Sequence, residues 1–266
     1  MQSNFQKSPK EIMNYDIRTY DSIDSTNTEA LRLINEVEGA TVFYAKTQTA
    51  GRGQRGNKWL SRPGENLTFT LALKFGLGQV PELKIIDQYT LNQGIALAIT
   101  DYLDSIGISS MIKWPNDIYV GDKKICGILI ENGLSSTNIK HSIIGIGLNI
   151  NQEIFSPDIP NPTSVVSECG KKVNTEDALR ELLSCIDVRI TSIQKKEDIR
   201  KAYLNKLYRK DEVHSYIDQV NKVHFEGRII GITEDFRLSI ETRDEIRNFA
   251  FKELGYIISS HSSSKD

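Results

Sequence analysis

The chain has 266 residues, 39% hydrophobic and 26% charged, which is enough apolar material for a buried core and excludes a compositionally disordered chain. Lys plus Arg number 33 against 35 for Asp plus Glu, a net charge of −2 that excludes whole-surface attraction to nucleic acid or anionic membrane but not a local basic site. Cys126, Cys169 and Cys185 form no CxxC pair and the four histidines show no HxxxH spacing, which argues against a disulfide framework or a zinc site and fits a reducing compartment.

The opening MQSNFQKSPKEIMNYD lacks the apolar run of a signal peptide, and no stretch approaches the ~20 apolar residues of a membrane span; a cytoplasmic protein without membrane contact is expected. Thr26 and Glu29 have the spacing of a capping box, and Ala30, Leu31, Ile34 and Val37 follow at helical intervals, predicting a helix over 26–38. Residues 40–46 read as a strand. Over 66–75 the pattern alternates strictly, predicting a strand with one face buried. A long helical pattern covers 84–106. SMIKW, DIYV and ICGILIEN read as short strands, the last two joined by a GDKK turn, and HSIIGIGLNI is too glycine-rich for a helix and reads as a buried strand. After a proline-rich crossing, 175–195 and 197–209 are amphipathic helices. From Tyr208 onward short alternating strands follow one another without a helix, as in a small β-barrel, and the polar SSHSSSKD tail is expected to fray. The expected class is α+β, with a domain over 1–208 and a smaller one over 209–266.

Four stretches carry chemistry. KTQTAGRGQRGNKWLSR (46–62) holds five basic residues (Lys46, Arg52, Arg55, Lys58, Arg62), three glycines and no acid. Glycine lets backbone N–H groups approach an anion, and the guanidinium fork grips phosphate oxygens; a solvated flexible loop would show the same composition. KWPNDI (113–118) presents Asn116 and Asp117 on a bend between strands, because Pro115 cannot sit mid-helix. Lys113 and Asp117 suit a phosphate–Mg²⁺ pair, and Lys124 across the following hairpin can return to the same side; a plain Asx turn and an exposed lysine remain open. GIGLNIN (145–151) places small residues where a flat ring fits and Asn149 where it can read a ring edge, although close sheet packing also uses glycine. DSTNTEA (24–30) offers hydroxyls and free N–H groups at a helix start, to a neutral polar ligand or to the helix itself.

Together, in this order and spacing, DSTN, QTAGRGQRGNKW, KWPNDI…KICGILIE and GIGLNIN resemble the biotin protein ligases over residues 20–150. The resemblance implies a catalytic domain related to the class II aminoacyl-tRNA synthetase cores, a mixed β-sheet with helices against it, and a small SH3-like β-barrel at the C-terminus. It implies a two-step reaction: biotin and MgATP give biotinyl-adenylate and pyrophosphate, then a lysine of a biotin carboxyl carrier domain takes the biotin. By resemblance Arg52, Lys113, Asp117 and Lys124 are catalytic, with Asp117 the tentative Mg²⁺ ligand or the group that orients the attacking amine. Ser25, Thr26, Asn27, Gln48, Gly51, Arg52, Gly53, Gln54, Lys124 and Gly127 match biotin-contacting positions. Arg52, Arg55, Trp59, Lys113, Asn116, Gly145, Gly147 and Asn149 match the ATP or adenylate side. Cys126 has a family position but reads as packing.

Two departures matter. Many members carry arginine where this chain has Gln54, a residue associated with retaining the adenylate, and the C-terminal FKELGYIIS offers Lys252 where some relatives bring an arginine. About 20 residues precede the first motif, too few for the helix-turn-helix of repressor members, so a ligase without DNA binding, monomeric or homodimeric, is expected. A lipoate–protein ligase shares the chemistry, and a non-enzymatic phosphate-binding module would use the same basic loop.

Overall fold

A computed structural model describes residues 13–78 and 80–258, with the Arg55 side chain also outside the description; the polar tail expected to fray lies beyond these residues. Strands β1 (Asp16–Tyr20), β2 (Ala40–Ala45), β3 (Leu67–Lys74), β4 (Met111–Lys113), β5 (Asp117–Val120), β6 (Lys123–Leu134) and β7 (Ile139–Leu148) form one sheet in the order β1-β2-β3-β7-β6-β5-β4. Only β1 and β2 pair in parallel; every other pairing in this sheet is antiparallel. Helix α1 (Thr26–Arg32) lies over one face of this sheet, while α2 (Gln88–Ser105), α4 (Thr175–Thr191) and α5 (Lys196–Asn205) pack together, α2 and α4 over the other; α3 is the short Val165–Cys169 turn of helix. Strands β8 (Val213–Asp218), β9 (Val223–Ile232), β10 (Leu238–Glu241), β11 (Ile246–Phe249) and β12 (Leu254–Tyr256) make an antiparallel sheet in the order β11-β10-β9-β8-β12. The protein is therefore a mixed α+β fold with two sheets.

Three expectations need correction. The capping box does not form: Ser25 is the N-cap without a side-chain bond, because the Thr26 hydroxyl instead donates to Gln48 Oε1 at 3.1 Å. The helix stops at Arg32 and closes with a 3₁₀ turn over Ile34–Glu36. Strand β3 is buried on both faces, since Ala30 and Val37 cover Phe43, Ala72 and Ile143 on the side that alternation assigned to solvent. Strands β1, β8 and β12 and helix α3 were not anticipated; β1 is a short, largely exposed edge without apolar alternation.

One apolar cluster runs from the large sheet through α2, α4 and α5 into the C-terminal sheet. At the junction the Trp114 indole is 5% exposed, donates from Nε1 to the Phe236 carbonyl at 3.2 Å and lies edge-on to Phe251 at 6.2 Å. An aromatic residue truncated in such a place costs about 3–5 kcal/mol, so the bend that carries Asn116 and Asp117 is anchored by a deep apolar plug. Tyr203 on α5 adds a hydrogen bond to the Pro115 carbonyl at 2.8 Å.

Candidate active site

The register of three neighbouring strands makes the floor. Gly145 faces Thr70 on β3 and Leu129 on β6, and Gly147 faces Thr68 and Gly127, so Gly127, Gly145 and Gly147 open to the same face. A Cβ at Gly147 would lie 2.3 Å from Trp59 Cε2, and one at Gly145 2.1 Å from Asn27 Oδ1. Glycine at these positions is therefore a steric requirement of the side chains resting on the floor. The opposite face carries Cys126, which is fully buried in the main apolar cluster with its thiol pushed up by desolvation, an inert packing group.

One wall is a charged row fixed by strand pairing. Lys113 and Asp117 are partners across the β4–β5 hairpin, and Asp117 Oδ1 meets Lys124 Nζ of β6 at 2.7 Å. The sequence +, −, + across three strands keeps two ammonium groups close without leaving both unpaired. Burial pulls Lys113 below the ordinary lysine range; Asp117 opposes this, and the neighbouring charges of Lys124 and Arg209 add to it. Lys124 is further held through its backbone, its N–H donating to Asn161 and its carbonyl accepting from Thr163.

The facing wall is the 46–62 loop. It folds back on itself through Gly53 N–H to Asn57 carbonyl at 2.7 Å and Trp59 N–H to Gly51 carbonyl at 2.9 Å. Gly51 is obligatory, because a Cβ there would sit 2.5 Å from the Trp59 carbonyl. Gln54 clasps the loop to the bend, its Nε2 donating to Asn116 Oδ1 at 3.0 Å while Asn116 Nδ2 donates to the Ile128 carbonyl at 3.0 Å. Arg52 pairs with Glu131 Oε1 at 2.7 Å. This half-exposed ion pair is weak in water and can exchange for another anion at little cost.

Beyond the charges lies a neutral pocket. Gln48 Oε1 accepts from the Thr26 N–H at 2.8 Å, and Thr70 Oγ1 lies 2.7 Å from Asn27 Oδ1 and 2.9 Å from Thr26 Oγ1. The Ser25 hydroxyl and the Trp59 Nε1 are buried with no hydrogen-bond partner among the described residues, a configuration that a polar ligand would relieve.

These walls enclose one cavity of about 710 Å³. Of the sequence-predicted residues, Thr26, Asn27, Gln48, Arg52, Gly53, Gln54, Trp59, Lys113, Asn116, Asp117, Lys124, Gly127, Gly145, Gly147 and Asn149 all line it. Ser25 and Gly51 are not among the residues that line it. Asn149 reaches the wall with its amide already donating to the Thr163 carbonyl at 2.9 Å. Sequence reasoning missed Tyr119, Tyr256 and the crossing segment that adds Phe155, Asp158 and Pro160 to the lining, and Glu131 as the partner of Arg52. Tyr119 was findable, standing two residues after Asp117 on the same strand and so sharing its side. Tyr256 gave no signal, because only folding brings the last strand here.

No group of three or more His, Cys, Asp or Glu side chains among the described residues could hold a metal by itself. Mg²⁺ commonly uses one or two carboxylates together with substrate phosphates, and Asp117 on the cavity wall suits that mode. No helix among the described residues is long and apolar enough to cross a membrane.

Residues 19–149, a span that carries three of the four motifs whole and GIGLNIN as far as Asn149, match the sequence model of the biotin/lipoate A/B protein ligase family. A bifunctional ligase/repressor BirA of Bacillus spizizenii is 33% identical over 187 residues, covering 67% of this chain and 55% of that protein. A biotin–[acetyl-CoA-carboxylase] ligase of Paracoccus denitrificans is 34% identical over 163 residues, 59% of this chain and 65% of that one. The fold agrees: the biotin protein ligase of Aquifex aeolicus, solved in complex with biotin and ATP, superposes with a TM-score of 0.74 at 25% identity over 92% of this chain and 99% of that one. The chain belongs to the biotin/lipoate A/B protein ligase family. It spans about half the length of the BirA relative, 55%.

Proposed function

We propose that this chain is a biotin protein ligase, joining biotin to ATP as biotinyl-5′-AMP and passing the biotin to a lysine of a biotin carboxyl carrier domain. What carries the reading is that Arg52, Lys113, Asp117 and Lys124 line the same cavity as the neutral cradle of Thr26, Asn27 and Gln48. A site for one anion alone needs no such cradle, and a site for a neutral ring alone needs no three cations.

In the first step a biotin carboxylate oxygen attacks the α-phosphorus, an O–P bond forms and pyrophosphate leaves. Two anions approach, so Arg52, Lys113 and Lys124 reduce their repulsion and stabilise charge developing at phosphorus. Mg²⁺ arriving with ATP supplies further charge neutralisation, with Asp117 as its carboxylate. Arg52 leaves Glu131 for the incoming anion. The neutral ureido ring rests against Ser25, Thr26, Asn27 and Gln48, and the Trp59 indole over Gly127 and Gly147 makes the flat surface between the two ligands. In the second step the acceptor amine attacks the acyl carbon, a C–N bond forms, AMP departs and the amine proton is lost; Asp117 is the carboxylate positioned to orient that amine. The mixed anhydride hydrolyses when wetted, which gives the Gln54 clasp a purpose. We read residues 209–266 as a small SH3-like unit packed on a catalytic unit over 1–208.

Biotin-dependent exchange of labelled pyrophosphate into ATP tests the reading, followed by transfer to a purified carrier domain detected by avidin blot. Exchange with biotin and transfer are expected. Exchange with lipoate in place of biotin would indicate the sister chemistry, and no exchange with either would leave a binding module.

A further inference from the structure

Lys113 is held by its own hairpin and by the last strand of the chain. Its Nζ donates to the Tyr119 hydroxyl at 3.1 Å and lies 4.9 Å from the ring centre of Tyr256, on the last strand of the C-terminal sheet. Tyr256 is itself fixed. It lies edge-on to Tyr216 at 5.5 Å and tilted against Tyr208 at 6.0 Å, and Tyr208 is 5.3 Å from Tyr119. The buried Arg209 donates from Nη1 to the carbonyl of Ile257, the next residue, at 3.0 Å, which pins β12 beside the cavity. The Tyr256 hydroxyl is buried without a hydrogen-bond partner among the described residues, so the side chain offers Lys113 its ring and not its oxygen.

We propose that Tyr256 is a positioning residue for adenylation: its ring holds the Lys113 ammonium against the cavity wall, so the C-terminal sheet takes part in the first step. This rests on the reading of Lys113 as an ATP-facing lysine. A lysine stem carries about 2 kcal/mol of rotamer freedom, and burial disfavours its charge; an aromatic face opposes both by giving the ammonium a fixed and attractive neighbour. Asp117 faces Lys113 from β5, Lys124 from β6 and Arg209 from the start of the C-terminal segment, and Lys113 already ionises below the usual range. Burial, Lys124 and Arg209 favour loss of the proton, and the ring stands with Asp117 in opposing it. A role limited to core packing would ask only for a bulky apolar side chain, and the electronic character of the ring would not matter.

The test uses the full chain in pyrophosphate exchange. Tyr256→Phe, which keeps the ring and loses only an unpartnered hydroxyl, is expected to retain several-fold more kcat/KM for ATP than Tyr256→Leu. Tyr256→Leu should lower kcat/KM for ATP about tenfold with KM for biotin unchanged. Where the leucine variant fails to fold, phenylalanines carrying one to three ring fluorines at position 256 keep the shape and weaken the ring's attraction for a cation. A graded fall in kcat/KM for ATP with each fluorine is expected. Flat activity across the fluorine series, or equal losses for ATP and biotin in Tyr256→Leu, would overturn the proposal. Near-normal exchange in Lys113→Ala would instead remove Lys113 from the site, a failure of the underlying reading that the Tyr256 variants do not mimic.

Discussion

The two walls of the cavity are built on different principles. The β4–β6 wall places Lys113, Asp117 and Lys124 by strand register, with backbone ladders joining the three strands and the Trp114 plug behind the bend. The 46–62 wall is a loop closed by its own glycines and tethered at its tip by two side-chain contacts, Gln54 with Asn116 and Arg52 with Glu131. Register holds charge where the chemistry needs it at all times. Side-chain tethers hold the wall that, on the proposed reading, has to admit two substrates and release a product. The division predicts that changes in the sheet wall remove rate, while changes in the loop wall alter retention.

The largest effect is expected for Lys124→Ala, which deletes a cation from the rigid wall. Exchange should fall about 10²–10³-fold, the scale for one transition-state donor, with a thermal midpoint little changed because the half-exposed Asp117 pair adds little stability. Near-normal exchange with intact folding would break the comparison. Next, Gly147→Ala drives a methyl into the Trp59 indole and displaces it from the floor. KM for ATP should rise about tenfold, with altered tryptophan fluorescence; unchanged fluorescence and KM would show that the loop adjusts freely.

A third test uses pH. Because the fold lowers the Lys113 pKa, its charge is lost before that of an ordinary lysine as pH rises. Between the lowered pKa and the unfolded value the unfolded chain binds more protons, so this group's share of stability increases with pH while activity declines. An alkaline limb is expected in the exchange profile, moving upward in Lys113→Arg, whose charge does not titrate there. The smallest effect belongs to the loop tether. Gln54→Ala removes the hydrogen bonds to Asn116 and to the Ile128 carbonyl and should speed escape of the adenylate about three- to tenfold, and Gln54→Arg should slow it, read by hydrolysis in the absence of acceptor. Equal escape rates in all three proteins would show that position 54 does not hold the intermediate.

Much of the fold was legible. Apolar alternation found β3, glycine-rich runs marked β7, and the helical periodicities of α2, α4 and α5 lay close to their observed bounds. Where reading failed, a tertiary contact had displaced a local rule: Thr26 takes Gln48 instead of capping its helix, and α1 buries the side of β3 that looked free. β1 was invisible because a short edge strand beside β2 needs no apolar pattern of its own.

The sequence by itself determined which chemistry is available, because residue type and spacing fix the charges, the glycines and the hydroxyls that a short stretch can present. It also determined the three-strand alternation, since Lys113, Asp117 and Lys124 lie within one continuous run of hairpins. Only the tertiary structure decided how those groups are paired: Arg52 with Glu131, Gln54 with Asn116, and Lys113 with a tyrosine from the end of the chain. Such partners are distant in sequence and unrelated by periodicity, so their meeting depends on how sheets and loops pack, which no local pattern encodes.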